Sequence, residues 1–567
     1  MRRGAWVVPA YLALTLWLTW PMARDFGRAL PTVFDYSDAF IQCYILEWDW
    51  QALATRPLEI FDPPIFHPGP RALTYMDCLI GEAVLGAPVM AVTRNPAAAY
   101  NSLVVLGFVL SAWATYRLVR WLGVARGGAF LCGFLFSFSS YRLCNICDLN
   151  LLHTEFLPLG LWFALRLTRS GRERDLWAAA GTLAVQATFG WYYVFHLATI
   201  YAVVAVHAVW RGRLRWRASI AKRAGLAALA CALAVAPVAY PYWQQRRSLP
   251  EFRRTLDQTS VWSADVLDYL RVNVFNRTRG HIGPLSGDLA YWPGLVTVAL
   301  AGFGLVAWRR REPFARDAGV CASVGLTGFV LSLGPTLRVA GRNLPVWLPY
   351  AALFFVVPGF QGMRASGRYA VVALIGAVAL AGVGYESWRR RLAHRPGIAR
   401  AAFAVMLGVA LVDGYSVPLP MLSYPHATPP AYVWLARQPE SGAVLELPAP
   451  RLEKDERIVD AERQLYGLRH GRPRLDGVSG FVPPATRRLR LAVQDFPSPH
   501  AVDAAAAAGA RYVIVHYGDF PAAEARERRA AAAASPALRQ MASFADDVVY
   551  ELRAGRSNPA ATSVGQR

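Results

Sequence analysis

The sequence predicts an all-α polytopic membrane protein of about eleven transmembrane helices, followed by a small C-terminal α/β domain outside the membrane. Three observations carry that prediction. Hydrophobic residues make up 55% of the 567 residues and charged residues only 17%, whereas soluble domains carry about a quarter charged residues. The apolar residues gather into runs of bilayer length, and the final stretch of chain turns hydrophilic. The net charge of +22 is almost all arginine, packed into short loops between the apolar runs. That placement reports membrane topology and gives no single basic face of the kind nucleic acid needs.

A spanning helix takes about 20 mostly apolar residues, and backbone without internal hydrogen bonds cannot face lipid, so each run is read as a helix. The runs fall roughly at 5–23, 98–119, 127–143, 150–167, 176–191, 193–210, 223–242, 290–308, 317–334, 368–387 and 401–419. Loops rich in Arg and Lys stay in the cytoplasm. Arg2 and Arg3 precede the first run, Arg117, Arg120 and Arg126 follow the second, and Arg166, Arg169, Arg172 and Arg174 follow the fourth. The same parity continues with Arg211 to Arg223, RRREPFAR and RRRLAHRPGIAR. The N-terminus is therefore expected inside a bacterial inner membrane, with loops 24–97, 243–289 and 335–367 and everything after 420 outside. The first run resembles a signal peptide in composition, but Pro21 makes a poor cleavage site, and an uncleaved anchor is expected. Seven cysteines scattered over the chain supply no disulfide framework.

Residues 1–420 are thus read as the membrane domain, 421–553 as the external domain and 554–567 as a disordered tail with little to bury. Within loop 24–97, residues 38–54 place Phe40, Ile41, Tyr44, Ile45, Trp48 and Leu53 on one helical face and Gln42, Glu47 and Asp49 on the other. That pattern predicts an amphipathic helix along the membrane surface, and 77–92 predicts a second. Between them FDPPIFHPGP is too rich in proline to be regular. Residues 346–360 are apolar but too short to span, which predicts a re-entrant or surface helix. In the external domain AVLELP and RYVIVHY read as strands, with an alanine-rich helix at 501–510.

Asp38 is the leading candidate for chemistry. A carboxylate among aromatic residues just before an interfacial helix suits a general base, and equally suits an N-cap. Asp35 stands three residues before it in the same acidic loop. The chain has no Walker A run, no HExxH and no dinucleotide fingerprint after a strand, so neither ATP nor zinc-protease chemistry is indicated.

The runs SDAFIQCYILEWDWQAL, YMDCLIGEAVLGAP, FSFSSYRL and DLNLLHTEFLPLGLW resemble bacterial multi-pass proteins of the GT-C glycosyltransferase superfamily, over about residues 5–420. RLDGVSGFVPP and GARYVIVH resemble the external domain of the same subgroup. The resemblance implies inverting sugar transfer from a polyprenyl-phosphate-linked donor to a glycan, lipid or protein of the cell envelope, with Asp38 as general base. No cofactor is implied. A divalent metal is not supported by any close ligand cluster, and a single-carboxylate mechanism needs none.

Arg364 and Arg368, in GFQGMRASGRYA, suit the leaving phosphate because guanidinium matches phosphate oxygens, although arginine also snorkels at this depth. Asp77 and Glu82 are candidates for further polar contacts. His153 and Glu155 are ionisable residues at a membrane span, which marks a site or a hydrogen-bonded interface between helices. Tyr192 and Tyr193 suit stacking on a sugar as well as the aromatic belt. His281 and Asp288 are candidates to face the acceptor. A transporter or flippase of lipid-linked saccharide would use the same arginines and aromatic surfaces, but would show inverted repeats and broken helices. A silent scaffold would be indifferent to loss of Asp38.

Overall fold

The computed structural model describes residues 4–33, 38–212, 218–280, 289–439, 441–452 and 456–553. Asp35, His281, Asp288 and the tail 554–567 lie outside the described residues. All eleven apolar runs form helices: Val7–Leu18, Pro96–Trp121, Arg126–Ser137, Phe156–Ser170, Glu173–Phe189, Trp191–Trp210, Ala218–Ser248, Leu295–Arg309, Ala318–Ser332, Ala370–Arg391 and Pro396–Asp413. Among the described residues, six helical segments are long and apolar enough to cross a membrane: Pro96–Trp121, Trp191–Trp210, Lys222–Ser248, Pro313–Ser332, Ser366–Arg391 and Pro396–Asp413. Val7–Leu18, Ile80–Thr93 and Leu295–Arg309 are apolar but shorter. The chain is membrane-embedded.

The chain divides into two compact units, residues Met1–Phe34 with Asp77–Tyr424, and residues Asp35–Met76 with Pro425–Arg567. Segment Asp35–Met76, which the sequence reading leaves in the membrane domain, thus clusters with the C-terminal residues.

In the first unit, close helix crossings are made by glycine. A Cβ on Gly384 would lie 1.8 Å from the Leu300 carbonyl oxygen, and one on Gly304 would lie 2.2 Å from that of Leu380. Helices Leu295–Arg309 and Ala370–Arg391 therefore pack backbone to backbone, which small residues permit. Gly328 and Gly376 do the same between Ala318–Ser332 and Ala370–Arg391. The basic loops are tied down by acids. Glu386 accepts from Arg389 at 2.6 Å, Arg390 at 2.8 Å and the Ala125 N–H at 3.0 Å, Arg166 pairs with Asp175 at 2.8 Å, and Arg169 pairs with Asp317.

Two runs break where polar side chains turn inward. The run at 127–143 splits after Ser137 into a short helix Ser140–Cys144, and the next opens with Leu149–Leu152 before resuming at Phe156. Arg142, wholly buried, donates to the Gly107 carbonyl at 2.9 Å and to Thr154. Those bonds hold the break. Strand β1 (Ala29–Pro31) pairs antiparallel with β4 (Met421–Ser423), and β2 (Thr336–Val339) with β3 (Arg342–Trp347). The apolar stretch read as one short helix at 346–360 is therefore the end of β3 followed by helix Pro349–Val356.

The second unit holds a four-stranded sheet of β5 (Ala443–Leu447), β6 (Ala510–His516), β7 (Leu538–Phe544) and β8 (Asp547–Leu552) in the order β5-β6-β8-β7. β5 and β6 run parallel, and the other pairings are antiparallel. Alternate residues face opposite cores: Leu445, Leu447, Val513 and Val515 on one side, Val444, Tyr512 and Ile514 on the other. Helices cover both faces, Pro499–Ala507 and Ala522–Ala534 on the first and Pro430–Ala436 on the second. A sheet with two buried faces needs such cover.

Helix Asp38–Thr55 corrects the expectation of a surface helix. Its polar side is buried as well as its apolar side, with Gln42 8%, Glu47 3% and Asp49 0% exposed. Glu47 pairs with Arg469 of helix Ile458–His470 at 2.6 Å. The carboxylate that marks the expected wet face is instead neutralised inside the second unit.

Candidate active site

Three chain turns of the first unit converge on Asp77, just before helix Ile80–Thr93. One carboxylate oxygen accepts from the Trp191 backbone N–H at 3.0 Å, the other from the Asn150 side-chain amide at 2.7 Å. Gly190, between helices Glu173–Phe189 and Trp191–Trp210, makes that approach possible. A Cβ there would lie 3.2 Å from the Asn150 Cβ and 3.7 Å from the Asp77 carboxyl carbon. Burial pushes the Asp77 carboxyl above its ordinary pKa, while the Trp191 N–H, the Arg368 charge and the Asn150 amide pull it back. The net direction is upward, and both oxygens are taken by N–H donors.

The next residue along, Tyr192, accepts from the backbone N–H groups of Arg364 at 3.1 Å and Ala365 at 3.4 Å. Its ring carries the Arg368 guanidinium 4.2 Å from the centroid, and the Arg364 guanidinium sits 5.0 Å over Trp262. Stacking of this kind holds an arginine by its face and leaves its N–H edge available. Neither guanidinium donates a hydrogen bond to another described residue. The site thus presents two oriented cations beside one structured carboxylate.

The remaining candidates separate from this pair. Tyr193 is buried, its hydroxyl donating to the Leu151 carbonyl at 2.6 Å and so leaving the Tyr141 hydroxyl, 3.2 Å away, to donate to it. His153 and Glu155 are joined at 2.8 Å and continue through Ser111 and Thr154 to the buried Arg142. That chain of bonds satisfies charges inside a helix bundle, as a buried polar group requires. Glu82 is fully buried in the first turn of Ile80–Thr93. Asp38 opens helix Asp38–Thr55 of the second unit and is half-buried. Sequence reasoning passed over Trp262 and His196 as site residues. His196 is wholly buried with both ring nitrogens unpaired and its ring 4.1 Å from Tyr369. The readable signal is a histidine inside an apolar run.

The chain matches no protein-family model and no curated protein sequence. Its fold does match solved structures. The arabinofuranosyltransferase AftD from Mycobacteria aligns with a TM-score of 0.60 at 18% identity, over 97% of this chain and 40% of that one. This chain therefore spans less than half the length of AftD. The oligosaccharyltransferase AglB from Archaeoglobus fulgidus, in complex with an inhibitory peptide and a dolichol-phosphate, aligns with a TM-score of 0.51 at 12% identity, over 91% of this chain and 69% of that one. ArnT from Cupriavidus metallidurans in the apo state aligns with a TM-score of 0.50 at 13% identity, over 97% of this chain and 98% of that one. Over at least 91% of its length the chain shares the fold of these three solved structures.

Proposed function

We propose that the protein is an inverting glycosyltransferase that takes a sugar from a polyprenyl-phosphate carrier at the outer face of a bacterial inner membrane and attaches it to a cell-envelope glycan, lipid or protein. The observation that carries this reading is the pair of ring-stacked guanidinium groups of Arg364 and Arg368 beside Tyr192. Two planar cations side by side suit a phosphate that gains charge as its bond to the sugar breaks. The AglB neighbour, which has a dolichol-phosphate bound, supports a lipid-phosphate donor.

Asp38 is the general base in this reading. The acceptor oxygen attacks the anomeric carbon opposite the phosphate, its proton passes to the Asp38 carboxylate, and the lipid phosphate leaves toward the arginines. Asp77 fixes the Trp191–Tyr192 turn and through it the platform under Arg368. All eleven apolar helices lie in the membrane, the N-terminus inside and the second unit outside. His281 and Asp35 contribute to substrate contacts from the outer loops, and a single-carboxylate mechanism needs no metal.

The test is transfer of labelled sugar from a panel of polyprenyl-phosphate monosaccharides to envelope extract by purified protein. Wild type transfers, and folded Asp38→Asn, which keeps the shape and loses the base, falls by at least about 100-fold, the range general-base catalysis supplies. Equal transfer by the two proteins would remove Asp38 from the mechanism. No transfer from any donor would favour a carrier of lipid-linked saccharide.

A further inference from the structure

The second unit contains a cavity of about 120 Å3 at the carboxyl ends of its two parallel strands. In α/β sheets the crevice beyond the carboxyl ends of parallel strands is where ligands bind, because the strands stop there and the loops diverge. Leu447, Pro448 and Ala449 at the end of β5 and Val515 and Tyr517 at the end of β6 form two of its walls. The volume is that of a single six-membered ring, since an engineered cavity of roughly 150 Å3 accepts benzene.

Its lining is mixed in a particular way. Phe496 and Tyr517 are 3% and 4% exposed and line the cavity together with Phe520. Planar polar groups complete it. The Gln494 amide donates to the carbonyls of Ala449 at 3.0 Å and Arg490 at 2.7 Å, and its oxygen accepts from Arg451 at 3.2 Å. Arg528 stacks over Phe520 at 4.9 Å and gives its donors to Glu524 at 2.8 Å and to the carbonyls of Gln494 at 3.0 Å and Phe496.

That distribution selects among ligands. A nucleotide or phosphate needs free cations or a glycine-rich turn leading into a helix N-terminus. Here β5 runs into Pro448-Ala449-Pro450, no glycine lies between Ala443 and Tyr466, and Arg528 is already spent on a carboxylate and two carbonyls, which leaves Arg451 as the one other cation among the described lining residues. A purely apolar ring would suit the aromatic walls but place C–H groups against the charged Arg451 and Glu524 side chains. A sugar meets both demands, with C–H faces for the aromatic walls and hydroxyls that both donate and accept toward Arg451 and Glu524. We propose that this cavity is a binding subsite for one neutral sugar residue of a glycan. It is independent of Asp38 and of the arginine pair.

Saturation-transfer NMR on the full-length protein tests this in phosphatidylcholine nanodiscs, which avoid sugar-headed detergent. The probes are glucose, galactose, mannose and arabinose at millimolar concentration, and inorganic phosphate. At least one sugar is expected to receive saturation. Phe520→Ala and the exposed Arg451→Ala are each expected to weaken its binding about tenfold, the effect of losing one good contact. Asp38→Asn is expected to leave the signal unchanged, which separates this subsite from the transfer reaction. Absence of saturation for every sugar would overturn the proposal. So would a sugar signal that survives both cavity variants, or displacement of the sugar by inorganic phosphate.

Discussion

Asp77 accepts two hydrogen bonds, one from a backbone N–H that can only donate and one from the Asn150 amide, and this fixes what a substitution there does. Asp77→Ala removes the acceptor of both bonds, so the Trp191 N–H loses its partner. A buried donor left unpaired costs about 1–3 kcal/mol. The variant should therefore unfold at lower temperature in detergent and transfer sugar more slowly, because the turn that carries Tyr192 loosens. Unchanged thermal unfolding of Asp77→Ala would show that the turn does not depend on this carboxylate. In the second unit His470 also accepts, its Nδ1 lone pair taking the Arg472 N–H at 3.0 Å. Burial, aided by the Arg474 and Arg472 charges and opposed by Glu446, lowers its pKa from 6.5 to about 4. The unfolded chain therefore takes up the proton first. The contribution of His470 to stability is complete above about pH 6.5 and is lost as pH falls toward 4, by on the order of 3 kcal/mol. His516 works in the other direction. Burial lowers its pKa, but its bonds to Asp547 and Glu446 raise it by more, so its contribution fades as pH rises through the raised value. Hydrogen exchange of the β5 and β6 amides between pH 4 and 6.5 should show protection falling with acidity. His470→Asn, which keeps an acceptor without a titrating ring, should flatten the slope.

At the scale of elements, helix boundaries were legible because apolar run length and arginine punctuation report them directly. Pro96–Trp121 and Trp191–Trp210 lie within a few residues of the runs read at 98–119 and 193–210. The breaks at Phe138–Ser139 and at His153–Glu155 were not legible, since they depend on which side chains Arg142 reaches across the bundle. Strands β7 and β8 were missed for a related reason. β7 is mostly half-buried or exposed, and it follows the alanine-rich helix Ala522–Ala534 without a strong alternation of its own. The tightest element contact also needs coordinates to be seen. Gly384→Ala forces a methyl group to within 1.8 Å of the Leu300 carbonyl and must push helices Leu295–Arg309 and Ala370–Arg391 apart. Overpacking of this kind costs about 1–3 kcal/mol, and a drop in the detergent melting temperature checks it. Gly181→Ala, where a Cβ meets nothing within 4 Å, should leave that temperature unchanged or higher.

At the scale of the whole molecule, the expected topology makes a plain prediction about access. The cysteines are buried except for Cys144, which is half-buried, so background labelling is low. Leu58 is 97% exposed and Arg311 is exposed. A membrane-impermeant maleimide added to intact spheroplasts should label Leu58→Cys, and should label Arg311→Cys only after permeabilisation. The reverse pattern would invert the protein in the bilayer and remove the outer-face reaction.

The sequence by itself determined the class, the positions of the apolar helices and the parity of the basic loops, because bilayer thickness and the retention of positive charge act on local composition. It also offered the carboxylates and arginines worth examining. The tertiary structure decided which of them meet. Asp77, Asn150 and Trp191 come from segments more than a hundred residues apart in part, and only packing brings them to one point. It likewise decided that helix Asp38–Thr55 buries its polar side, because Arg469, over four hundred residues later, supplies the charge that Glu47 needs to leave water.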